Sequence, residues 1–64
     1  MSREKLKQFL ADRGLQQQEL ASVLGVSQGC VSDLVRGRRN PSGELAFRIE
    51  SITRGEVPAR GWFE

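Results

Sequence analysis

The stretch that decides the fold is Gln17-Gln18-Glu19-Leu20-Ala21-Ser22-Val23-Leu24-Gly25-Val26-Ser27-Gln28-Gly29-Cys30-Val31-Ser32-Asp33-Leu34-Val35-Arg36-Gly37. Leu20, Ala21 and Leu24 stand at helical spacing and Gly25 follows as a left-handed stop, which predicts a helix over 17–24. Leu15 is placed to staple against Leu20 across its start. Ser27 is a good N-cap, Val26 is placed to pack on Val31, and Val31, Leu34 and Val35 form the inward stripe of the next helix. Only Val26 and Ser27 separate Gly25 from that helix, and so short a link makes two short helices cross steeply. The spacing therefore predicts a helix-turn-helix over about 17–36.

Working outward, Leu6, Phe9, Leu10 and Arg13 sit at i, i+3, i+4 and i+7, predicting a helix over 3–13 with Ser2 as N-cap and Gly14 as its stop. Downstream, Asn40-Pro41 breaks the chain and Ser42 caps a fourth helix, whose inward stripe is Ala46, Ile49, Ile52 and Thr53 until Gly55 ends it. No segment alternates with period 2, so the fold class is all-α, a compact domain of four to five helices. The tail 56–64 is too short to be a domain, and residues 1–64 read as a single one.

Sixty-four residues leave little room for a catalytic cleft. The 38% hydrophobic and 28% charged content is that of a small globular unit, and no apolar run reaches membrane-spanning length. With no secretory signal at Met1-Ser2-Arg3-Glu4-Lys5-Leu6-Lys7, a cytoplasmic protein is expected. The lone Cys30 forms no internal disulfide, and in a chain without histidine it builds neither a zinc-ligand set nor a Cys-His pair. Cys30 reads as a small half-buried hydrophobe at the edge of the third helix. The expectation is a protein that is not an enzyme, with no metal, no cofactor and no small-molecule ligand.

Ten basic and eight acidic residues give a net charge of only +2, so placement matters more than sum. Arg36, Arg38 and Arg39 fall together with Asn40 directly after and no acid between them, which makes a phosphate-seeking patch or a solvated loop. The outer face of the third helix presents Gln28, Gly29, Ser32, Asp33 and Arg36, all short or hydrogen-bonding. Its capped start carries partial positive charge and its end runs into the arginines, so anion contacts are available at both ends.

The run from Gln17 to Gly37, continued by Arg38-Arg39-Asn40-Pro41-Ser42, resembles the DNA-binding domain of Cro and lambda-repressor-like regulators, the Xre family. Arg48-Ile49 through Gly55-Glu56-Val57-Pro58 to Trp62-Phe63 is similar to short prophage-type members. The resemblance implies a double-stranded DNA operator as partner, with Gln28, Gly29, Ser32 and Asp33 at base edges. It implies phosphate contacts from Gln17, Ser27, Arg36, Arg38, Arg39 and Asn40. Gln28 suits adenine and Asp33 suits cytosine N4, whereas Gly29 offers only close approach. Asp33 has a second reading, pairing with Arg36 on its own helix.

Family members bind pseudo-palindromic DNA as dimers, so the resemblance also implies a two-fold interface. Phe47, Trp62 and Phe63 are its candidates, in a weak homodimer strengthened on DNA; Trp62 could equally lid the small core. The leading function is a sequence-specific transcriptional regulator, a Cro-like repressor in a bacterial or phage-infected cell, associated with the nucleoid when bound. The alternative is an antitoxin or adaptor that autoregulates its operon and binds a partner protein through the aromatic tail.

Overall fold

The computed structural model describes residues 1–63, and the helical expectation holds: four α-helices and a short 3₁₀ turn, with no strand among the described residues. The helices are α1 (Ser2–Arg13), α2 (Gln17–Leu24), α3 (Gln28–Arg36) and α4 (Gly43–Ile52), and the 3₁₀ turn is Ala59–Trp62. Their apolar faces meet in one core of Leu6, Phe9, Leu10, Leu20, Ala21, Leu24, Val31, Leu34, Ala46, Ile49, Val57 and Trp62. Burying a side chain such as Leu34, which is fully enclosed, contributes about 1.5–3 kcal/mol.

The two helices of the deciding stretch begin and end where the punctuation places them. Gly14, Gly25 and Gly37 close α1, α2 and α3 in the left-handed conformation, with φ of 62°, 74° and 82°. Ser27 and Ser42 accept the amides of Cys30 and Leu45 on their hydroxyls, capping α3 and α4. The start of α2 is held differently: the Gln16 amide donates to Glu19 Oε1 at 2.8 Å. Leu15, Val26 and Val35 pack partly buried against the core.

Four expectations are corrected. Ser2 is not a cap but the first residue of α1, one position inside the helix and fully buried, and its Oγ donates to the Pro58 carbonyl at 2.5 Å. Arg13 leaves the inward stripe of α1: its guanidinium lies 4.5 Å over the Phe9 ring and pairs with Glu56 at the surface. α4 stops at Ile52, short of Gly55, because Thr53 takes over the ladder. Its buried Oγ1 donates to the Ile49 carbonyl at 2.8 Å and accepts the Val57 amide at 3.1 Å. The chain then turns through Arg54 and Gly55, both at positive φ. Ile52, placed in the inward stripe by its spacing, lies at the edge of the face that Ala46, Ile49 and Thr53 bury and is 37% exposed.

The tail folds back. Glu50 Oε1 accepts the Ala59 amide at 2.7 Å, and the turn that follows drops Trp62 onto the core with only 6% of its surface exposed. Of the two readings of Trp62, lid and interface, the fold takes the lid.

Candidate nucleic-acid interface

α3 is the centre of the candidate surface. Val31 and Leu34 point inward at 0% exposure, which turns Gln28, Gly29 and Arg36 fully outward and leaves Ser32 and Asp33 half-buried on the flanks. At 1.5 Å per residue, its nine residues make a rod of about 13 Å. The Ser27 hydroxyl takes the Cys30 amide, while the amides of Gln28 and Gly29 belong to the first turn, where no intrahelical acceptor exists. A donor-rich helix start is thus presented at the surface next to the Gln28 side chain.

Gln17, at the first position of α2, opens onto the same groove as Gln28. That groove runs between α1 and α3, lined by Lys7, Leu10 and Ala11 on one side and by Gln28 and Val35 on the other, with the α1–α2 turn closing its end. The fold therefore brings together two glutamines eleven positions apart, one from each helix of the helix-turn-helix. Lys7 was not singled out from the sequence; it stands one position from Leu6 on α1, and only the packing of α1 on α3 brings it to this groove.

On either side of Gly37, Arg36, Arg38, Arg39 and Asn40 are all exposed. They do not all point one way. The Arg38 amide donates to the Asp33 carbonyl at 2.9 Å, wrapping the loop against the end of α3. Arg39 Nη1 donates to Cys30 Sγ at 3.4 Å, beside a second groove shared with Val26, Ser42, Leu45 and Arg48. Cys30 itself is buried. Asp33 makes no ion pair with Arg36 among the described residues, where the two pairs are Arg13–Glu56 and Arg48–Glu44. The intrahelical pairing considered for Asp33 is thus not formed.

Two arginines outside the expected set shape this region. Arg48 of α4 donates to the Leu24 carbonyl at the end of α2 at 3.3 Å while holding Glu44 at 2.7 Å. Arg3 of α1 donates from Nε to the Leu34 carbonyl at 2.8 Å, and from Nη2 to the Arg39 carbonyl at 3.2 Å and Asn40 Oδ1 at 2.9 Å. Neither the Arg48–Leu24 nor the Arg3–Leu34 contact has a signature in local sequence, since each joins residues more than twenty positions apart. Of the three aromatics considered for pairing, Phe47 and Phe63 are 62% and 60% exposed, and Trp62 is enclosed.

A helix-turn-helix family profile matches residues 6–57, from the core of α1 past the end of α4. The chain belongs to the helix-turn-helix family of the Cro/C1 (Xre) type. An HTH-type transcriptional regulator of Archaeoglobus fulgidus is 33% identical over 55 residues, covering 86% of this chain and 79% of that protein. One from Methanocaldococcus jannaschii is 40% identical over 47 residues, covering 73% and 71%. No solved structure is a significant match. The family match takes in both helices of the motif, the arginine loop and α4, and stops before the turn that carries Trp62. No helix of the described residues is long and apolar enough to cross a membrane.

Proposed function

We propose that this helix-turn-helix protein is a sequence-specific DNA-binding transcriptional regulator of Cro type. It occupies a pseudo-palindromic operator in the cytoplasm as a dimer, with α3 in the major groove. The observation that carries the reading is the outer face of α3: Gln28 and Gly29 are exposed, Ser32 and Asp33 flank them half-buried, and the row lies between the Ser27-capped helix start and the Arg36–Asn40 run. A helix about 10–12 Å across with its side chains fits a major groove about 12 Å wide. Gln28 pairs with adenine N6 and N7, Asp33 is free of Arg36 to accept from cytosine N4, and Gly29 lets the backbone approach. Gln17, Ser27, Arg36, Arg38, Arg39 and Asn40 hold the phosphates on either side and fix the register.

Two exposed aromatics, Phe47 and Phe63, support the two-fold arrangement. A small area of this kind makes a weak dimer that DNA strengthens. Repression follows from occupancy of the operator. Selection of binding sites from random duplex DNA at near-physiological salt tests the proposal. An enriched two-fold-symmetric sequence with half-sites about one turn, 34–36 Å, apart is expected. Binding with no enriched sequence, vanishing as salt rises, would replace it with non-specific basic attraction.

A further inference from the structure

We infer that Arg3 is a positioning residue of this interface: from the first turn of α1 it fixes the Arg38–Asn40 loop against the end of α3, and the Trp62 ring in turn steadies its guanidinium. The inference rests on the DNA reading above. One guanidinium serves three acceptors: the Leu34 carbonyl at 2.8 Å, the Arg39 carbonyl at 3.2 Å and Asn40 Oδ1 at 2.9 Å. Leu34 supplies one of the last four carbonyls of α3, which have no acceptor role inside the helix and carry its negative dipole end. A cation there satisfies the orphan and locks where the helix stops. The other two acceptors lie in the loop, so the same planar group spaces the loop from the helix.

The guanidinium is itself held. Its Cζ is 5.7 Å from the centroid of the buried Trp62 ring, and its stem passes Gly37, where a Cβ would stand 3.6 Å from Nε. It has no carboxylate partner among the described residues. Arg3 therefore spends its hydrogen bonds on backbone placement, linking the recognition helix, the arginine loop and the folded-back tail. A loop ordered before DNA arrives binds more tightly than one ordered by it. A lysine at this position keeps the charge but presents a point donor in place of a fork, and cannot bridge the three acceptors.

The test compares wild type, Arg3→Met and Arg3→Lys in the full chain. Affinity is measured for the selected site and for a random-sequence duplex across a salt series, alongside amide exchange of Arg38 in free protein. Both variants are expected to lose about tenfold in affinity on either duplex. The Arg38 amide, bonded to the Asp33 carbonyl, should exchange about tenfold faster in both. Arg3→Lys at wild-type affinity and salt dependence would overturn the inference, because it would make Arg3 a direct phosphate contact. Unchanged Arg38 exchange in both variants would overturn it equally. Wild-type protein that binds no duplex at low salt would sink the DNA reading and with it any interface to position; Arg38 exchange would then report only whether Arg3 orders the loop. Arg3→Lys retains the positive charge and the aliphatic stem beside Gly37 and decides the matter if Arg3→Met does not fold.

Discussion

Gly61 lies so close to Ser2 that a Cβ built on it meets the Ser2 Oγ, the atom whose hydrogen bond to the Pro58 carbonyl ties the tail to α1. The space is closed on the other side by the Ser2 backbone nitrogen and Cβ, both 3.1 Å from the same position. Gly61→Ala should therefore destabilise the fold by about 1–3 kcal/mol through overpacking. Urea denaturation measures it. Ser2→Gly removes the colliding side chain, so the double variant should cost less than the sum of the singles. Additive losses, or a Gly61→Ala effect within experimental noise, would show that the tail moves aside freely.

Trp62 is the bulkiest buried side chain of the tail, and its contact with the core is apolar. It is 6% exposed, and its buried Nε1–H has no hydrogen-bond partner among the described residues. Trp62→Ala should cost about 3–5 kcal/mol. That is a large share of the roughly 3–10 kcal/mol expected of a chain this size. Trp62→Phe keeps an aromatic body and gives up no hydrogen bond, so most of the stability should remain. Calorimetric melting of the pair separates the cases: equal losses would mean that the indole N–H does have a partner, such as a water.

The rough bounds that the sequence predicts for α2 and for the helix-turn-helix agree with the fold because their signals are local: glycines that must go left-handed, a serine before a helix start, and valines and leucines at 3.6-residue spacing. It misplaces what depends on distant partners. Ser2 reads as a cap until the Pro58 carbonyl, fifty-six positions away, takes its hydroxyl. Ile52 reads as buried, yet the packing of α4 encloses Ala46, Ile49 and Thr53 and leaves it at the edge. At the candidate site, Gln28 and the arginine cluster are legible by composition. Lys7 and Arg3 are not, because only the packing of α1 against α3 brings them there.

Gln28 and Arg38 should fail in different ways. Gln28 stands on the outward face of α3, so Gln28→Ala should relax preference at one base pair per half-site, with about 1–3 kcal/mol lost on the preferred sequence. Arg38→Ala should weaken binding to all sequences alike and lower the slope of log K against log salt by about 0.9 per half-site. Titration of each variant against the selected site and single-base variants checks both. Equal losses on every sequence for Gln28→Ala would remove it from the base readers.

Phe47 gives the proposed dimer its sharpest test, because its ring stands largely outside the core. At 62% exposure on α4, beyond the Ala46 and Ile49 stripe, its replacement by alanine should change the stability of the free chain by less than about 0.5 kcal/mol. A role in pairing predicts a separate loss: Phe47→Ala should bind an isolated half-site as wild type does, yet bind the paired site with reduced cooperativity. Each recognition helix would still find its groove, and only the energy linking the two copies would fall. Titration of half-site and full-site duplexes reads the two quantities independently. Unchanged cooperativity in Phe47→Ala would move the interface off α4 and onto the segment around Phe63, whose ring is the other large aromatic left in solvent.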